Sequence, residues 1–278
     1  MSVRIIVDST ADLMPQIKQQ VQVVPLTVHF GDREYVDGVT ITHQEFYEKL
    51  VSGDAMPSTS QASPAAFQKE FQKVSDAGDS AVVITVASKL SGTYQSACIA
   101  AGDYENIYVV DSESVAIGSG ILTERALDMV RQVLDAAQIA QKLEEEKQRI
   151  RVLAVVDTLE YLKRGGRVSK AVAFAGGLLN IKPVIGIVHG EILMLGKARG
   201  LKQANTVLAG EIAKTGGVDF HEPVLLGYTG TEDTAVLRYM EDSRELWAPA
   251  GDIRHTIIGS VIGTHAGPGA VAVAYFAK

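Results

Sequence analysis

Hydroxyl side chains gather at two places in this chain. Ser58, Thr59, Ser60 and Ser63 lie between Pro57 and Pro64, with Gln61 among them. Ser88, Ser91 and Thr93 follow an apolar run and precede a helix-like one, with Gly92 between the last two. Both segments end where a helix should begin, and both are expected at the carboxyl ends of parallel strands, the edge at which open α/β sheets bind ligands. Unpaired N–H groups and the positive dipole end at such a terminus favour an anion, and Ser or Thr there can donate to a carboxylate or phosphate. The same residue types also cap helices with no ligand present.

A third group is Gly263-Thr264-His265-Ala266-Gly267-Pro268-Gly269, in which His265 is the one titratable side chain. Glycine there would let backbone approach a ligand closely; a histidine that only caps a turn is the plain alternative. A fourth group pairs Arg164 and Arg167 around Gly165-Gly166, with Ser169 and Lys170 beyond, and Lys197 and Arg199 further on, after a strand. It makes either a solvated charged turn or a basic surface for a phosphorylated ligand or an acidic partner. The stretch 171–181 is apolar with small residues interspersed, suiting a buried helix end or the lining of a lipid tunnel.

Several familiar sites are missing. The segment from Gly190 to Lys197 has the wrong spacing for a phosphate loop, and Ala198 stands where a magnesium-holding hydroxyl belongs. There is no G-x-S-x-G elbow, and the histidines are scattered singly, which gives a metal no support.

The elements that must position these residues follow from apolar periodicity. Runs at 3–7, 21–30 (interrupted by Pro25), 81–86 and 107–110 are β-type, and helix-like segments separate them. Thr42 to Glu45 forms a capping box ahead of Phe46, Tyr47 and Leu50, and Pro64 opens a second helix. Further helices are expected at 92–101 and 119–137. This alternation predicts a parallel sheet covered on both faces. The charged stretch 141–151 reads as a boundary. After it come six candidate strands, 152–156, 184–189, 192–195, 224–228, 256–262 and 271–276, with helices at 158–164, 203–214 and 231–246. His189-Gly190-Glu191 reads as a hairpin turn. A mixed sheet with helices on one side is the expected result.

A length of 278 residues suggests two domains, here 1–149 and 150–278. At 46% hydrophobic and 21% charged, the composition excludes a disordered chain. A net charge of −7 without a long basic block argues against nucleic acid. Cys98 is alone, so neither an intrachain disulfide nor a cysteine metal site can form; it reads as a small buried residue. The segment 255–277 is 23 residues without Asp, Glu, Lys or Arg, which raises a membrane span. Four glycines, Pro268 and His265 interrupt it, so two strands around a glycine-rich loop fit better than a spanning helix. The start has too short an apolar run for a signal peptide. A soluble, cytoplasmic protein without stable membrane insertion is expected.

In their order along the whole chain, these motifs resemble the DegV family, which includes the acid-binding subunits of bacterial fatty acid kinase. The likeness runs from Val7-Asp8-Ser9-Thr10-Ala11-Asp12-Leu13 through Val24-Pro25-Leu26, Asp37-Gly38, Thr59-Ser60-Gln61-Ala62-Ser63, Leu90-Ser91-Gly92-Thr93 and Val110-Asp111-Ser112. It continues through Leu162-Lys163-Arg164-Gly165-Gly166-Arg167 and Lys182-Pro183 to the 263–269 glycine segment. The resemblance implies an α/β fold of two domains, one with a four-stranded parallel sheet and one with a six-stranded mixed sheet. It implies a long-chain fatty acid as ligand, with no cofactor. The carboxylate would lie at Thr59, Ser91 and His265, with Ser60, Gly92, Thr93 and Gly267 beside them. Arg167 and Arg199 would meet a phosphorylated head group or a separate ATP-dependent kinase, and an acyltransferase would receive the acyl phosphate. Protonated His265 would pair with the carboxylate, which would raise its pKa. A rival reading makes Ser91 the nucleophile of an acyl hydrolase or transferase with His265 as base. Another is a nucleotide-binding switch on the α/β domain.

Overall fold

A computed structural model describes residues 2–53, 56–168 and 180–278. The four β-type runs of the first half form a parallel sheet in the order Gln22–Val24, Val3–Asp8, Ser80–Thr85, Ile107–Asp111. Ser80–Thr85 is buried at every position, as a strand covered on both faces must be. Alternate residues face opposite layers. Ile6, Ala81 and Val83 pack with Phe67, Phe71 and Ala97 of the Pro64–Asp76 and Thr93–Ala101 helices. Ile5, Val82 and Ile84 pack with Ile121 and Leu122 of Ile117–Arg131 and with Ile139 of Ala136–Glu146.

Pro25 splits the expected 21–30 run. Proline has no N–H for a ladder, and beyond it Thr27–Phe30 joins a different sheet, antiparallel to Arg33–Val36 and to Ser58–Ser60. Thr59 therefore sits on an antiparallel strand opposite Val28, not at the carboxyl end of a parallel strand as its sequence context suggested. The expected 119–137 helix is two helices, Ile117–Arg131 and Ala136–Glu146; Val133 turns the chain with φ +64°, and Asp135 starts a second capping box with Gln138.

The second sheet has six strands in the order Glu191–Arg199, Ile181–Val188, Ile150–Val155, Val271–Phe276, Leu225–Tyr228, His255–Ile257. The last pair is parallel and the others antiparallel. His189 and Gly190 both have positive φ, as the expected tight hairpin needs. The hairpin's second strand runs beyond its apolar part, so Lys197 and Arg199 lie on the strand itself rather than after it. Leu201–Lys214 and Thr234–Asp242 cover one face of this sheet, through Leu208, Ile212, Val236 and Tyr239. Ile117–Arg131 packs on the other face.

The uncharged segment near the end also folds differently from expectation. Its first strand stops at Ile257, and Ser260–Ala266 is a short helix. Ile257, Ile258, Val261 and Ile262 satisfy helical spacing as well as a short strand run. His265 therefore stands in the last turn of a helix, not on a loop between two strands. The second strand, Val271–Phe276, is buried throughout in the middle of the sheet. No helix among the described residues is long and apolar enough to cross a membrane.

The His43–Ser52 helix braces the His265 helix by burying Phe46 and Tyr47 against it. Its start depends on Thr42, which accepts from the Glu45 N–H while the Glu45 carboxylate accepts from Thr42 N–H. Thr42→Ala is expected to destabilise the protein by about 1 kcal/mol, measured by urea unfolding.

Candidate functional site

One face of the six-stranded sheet borders a cavity of about 380 Å³, within the roughly 300–1,000 Å³ range of small-molecule sites. The cavity is closed elsewhere by residues such as Thr10, Leu26 and Val86 that follow strands of the first half. Strand alternation makes its wall. Val152, Ala154, Ile185, Ile187 and Ala272 line the cavity, while Leu153, Val155, Val184 and Val273 point to the helices behind. Alanines at 116, 154, 270 and 272 leave volume that larger residues would fill.

Polar groups in the lining include Thr59, Ser60, Gln61, Ser91, Arg167 and His265, and contacts link several of them. Thr59 Oγ1 lies 3.0 Å from His265 Nε2. His265 Nδ1 faces the Cα of Gly165, where a Cβ would have no room. Arg167 Nη1 donates to Gly165 O at 2.7 Å and Nε to Leu90 O at 3.2 Å. Leu90 leads into Ser91, whose Oγ lies 2.9 Å from Thr93 Oγ1 and accepts from Thr93 N at 3.3 Å. Four segments far apart in sequence thus converge on one polar end.

Protonation of this end follows from burial. Burial, helped by the Arg167 charge, pushes the His265 imidazole down to about 4, so the ring is neutral at pH 7. The upward shift expected from the sequence belongs to a ring paired with a carboxylate. Nδ1 is buried without a hydrogen-bond partner. The network therefore assigns the proton to Nε2, which donates to Thr59 Oγ1. That leaves the Thr59 hydroxyl proton to donate elsewhere. Of the groups at this end, Arg167 carries the fixed positive charge.

The remaining expected residues divide. Ser60 lines the cavity, but its Oγ is 2.9 Å from His29 Nε2. Gly92 lines it too, with the Gln61 carboxamide where a Cβ would stand. Gln61 Nε2 in turn donates to Ser96 Oγ at 2.9 Å. Thr93 is fully buried behind Ser91 and is absent from the lining. Gly267 has φ +72° and lies against the Tyr161 ring, supporting the site from outside. Arg199 is exposed on its strand and does not line the cavity. Cys98 is half-buried rather than buried. The stretch read as tunnel lining lies outside the described residues from 171 to 179, as do Ser169 and Lys170.

Sequence reasoning missed Gln61 and Gly165. Gln61 stands inside the hydroxyl cluster; Gly165 stands between two arginines, and its contact depends on a histidine 100 positions away.

An acyl-transfer nucleophile would need Ser91 bonded to its base and the base oriented by an acid. Here His265 Nε2 bonds Thr59, Nδ1 has no partner, and Ser91 bonds Thr93. The arrangement suits holding an anion beside an apolar volume.

Comparison with known proteins gives the chain its relatives. A family model described as an uncharacterised protein of the DegV family matches residues 2–278. A DegV domain-containing protein of Caldanaerobacter subterraneus is 35% identical, with 99% of each chain covered. A DegV family protein from Thermus thermophilus, described by its fatty acid binding, superposes with a TM-score of 0.90 at 31% identity over 100% of both chains. A stearic acid-binding protein from Eubacterium ventriosum gives 0.83 at 29% identity, covering 100% of this chain and 99% of its own.

Two outcomes test the site. The unfolded imidazole takes a proton near pH 6.5 and the folded one near 4. The stability contributed by neutral His265 is therefore full above about pH 6.5 and lost as pH falls towards about 4. His265→Gln should remove that part of the acid sensitivity, seen as a flatter unfolding free energy across this window than in wild type. Gly165→Ala should push the ring off Thr59, read by NMR as a change in the His265 ring nitrogen shifts.

Proposed function

From its membership of the DegV family, we propose that this protein binds one long-chain fatty acid, with the tail in the apolar cavity and the carboxylate at Thr59, Ser91 and His265. In this reading residues 1–149 and 150–278 act as two domains that enclose the acid, Ser60 and Gly92 flank the head, and Thr93 and Gly267 brace it. The protein performs no chemistry itself and needs no cofactor. It is a cytoplasmic carrier that presents the carboxylate to a separate ATP-dependent kinase and takes the acyl phosphate to an acyltransferase. Arg167 would meet the head group, and exposed Arg199 would meet the kinase.

The observation that carries this reading is the convergence of Thr59, His265, Arg167 and Ser91 at one end of a largely apolar cavity. Hydroxyls supply donors, and Arg167 supplies charge without a buried proton transfer. The tail supplies affinity: at about 0.8 kcal/mol per buried methylene, a chain of roughly sixteen carbons gains on the order of 10 kcal/mol before ordering costs.

Solvent extraction of the purified protein, followed by mass spectrometry, should release close to one equivalent of fatty acid. Protein that is always empty and takes up neither palmitate nor oleate would overturn the proposal. Thr59→Ala removes one donor to a charged head and should weaken palmitate binding about 10- to 100-fold. Arg199→Glu should leave that affinity unchanged while slowing phosphorylation of the bound acid by the kinase.

A further inference from the structure

Two motifs remain without a role in the proposed function: the opening segment that ends in Asp12, and the His43–Ser52 helix with its buried Tyr47. Both meet the chain where it enters the His265 helix. The Gly259 N–H donates to Asp12 Oδ1 at 2.8 Å, and the Tyr47 hydroxyl donates to Ile258 O at 2.8 Å; both bonds are buried. Adjacent residues of one chain segment are thus held by an acceptor and a donor more than 200 positions away. Gly263, one turn further along, lies so close to the Phe46 and Tyr47 rings that a Cβ would have no room.

Asp12 is itself immobilised. Its N–H donates to Ala116 O at 3.2 Å, and its carbonyl abuts Gly120, which has no room for a side chain. The helix carries this placement forward through its own ladder, Gly263 N to Gly259 O at 2.8 Å and Gly267 N to Gly263 O at 2.9 Å. His265 follows Gly259 by less than two turns. A shift at Gly259 becomes a shift of the imidazole against Thr59, which belongs to the antiparallel sheet on which the helix packs.

We propose that Asp12 and Tyr47 are positioning residues for His265: they fix the Ser260–Ala266 helix so that its imidazole meets Thr59 and the ligand head. This role rests on the proposed fatty-acid binding. Burial holds the Asp12 carboxyl well above the usual carboxylate range, and the Gly259 N–H works against that. The contact needs an acceptor oxygen rather than a charge, so asparagine should replace aspartate here.

The test compares palmitate with hexadecanol, which has the same chain and no carboxylate, on wild type, Asp12→Ala, Asp12→Asn and Tyr47→Phe. Asp12→Ala should weaken palmitate about 10-fold or more and hexadecanol less than about 2-fold; Asp12→Asn should keep palmitate within about 3-fold. Tyr47→Phe loses only the hydroxyl and should follow the alanine variant, which keeps the test open if that variant does not fold. His265 ring nitrogen shifts should move in Asp12→Ala and Tyr47→Phe and stay put in Asp12→Asn. Equal losses for acid and alcohol, or an undisturbed His265 signal in Tyr47→Phe, would overturn the positioning role. Wild type that takes up neither lipid would instead overturn the fatty-acid reading, and this inference with it.

Discussion

The hydrogen bond between Thr59 Oγ1 and His265 Nε2 joins residues 206 positions apart, and much of the architecture around it serves to keep it. Thr59 comes from a three-stranded antiparallel sheet set apart from both larger sheets. His265 comes from a short helix between two strands of the mixed sheet. Neither element is large enough to hold its place alone; a seven-residue helix is far below the length that persists in water. Both are held by burial. Val28 and Val261 share one core with Phe46 and Phe67, so the sheet and the helix are parts of one packed unit. Glycines at 165, 263 and 267 let the layers close to contact distance, each facing an aromatic or imidazole ring.

The cavity beside this bond follows from the alternation of the mixed sheet. Its rear face carries Leu153, Val155, Val273 and Tyr275 against two helices and is filled. Its front face carries Ala154, Ala270 and Ala272 among branched residues, opposite Val115 and Ala116 at the start of Ile117–Arg131. Interiors normally close to crystal-like density. Here rigid strands on one side and a helix start on the other cannot collapse onto the short side chains, so volume remains. Stability is supplied behind the sheet and space in front of it, by one set of strands.

Much of this was legible in the sequence where periodicity was strong. Ser80–Thr85, the Thr42 capping box and the His189-Gly190 hairpin carry signals that short-range physics decides. The antiparallel sheet was not legible, because Ser58–Ser60 is all hydroxyl and Arg33–Val36 has no apolar alternation. The Glu191–Arg199 strand was read short because its end is charged, a common trait of sheet edges. Helix and strand spacing coincide around Ile258 and Val261, and tertiary contact with Phe46 and Tyr47 decides between them. The second roles of Gly165 and Gly267 exist only once His265 and Tyr161 have been brought to them.

Under the proposed function, the electrostatics suit a carrier better than a tight ionic trap. A carboxylate locked to a buried imidazolium would be hard to part, since breaking one side of a buried pair costs roughly 3–5 kcal/mol. In this site burial and the Arg167 charge hold the imidazole's pKa down, and its Nε2 lies 3.0 Å from Thr59 Oγ1. Arg167 already spends two N–H groups on Leu90 and Gly165 carbonyls, which hold its charge at the cavity end whether or not an anion is there. In the proposed function, then, the head is held by hydroxyls and one anchored cation, and the tail by burial. The two holds are separable. In that proposal, chemistry at the carboxylate by a second protein would change the head's charge and contacts while the chain stays buried, so substrate and product would be kept by the same apolar wall.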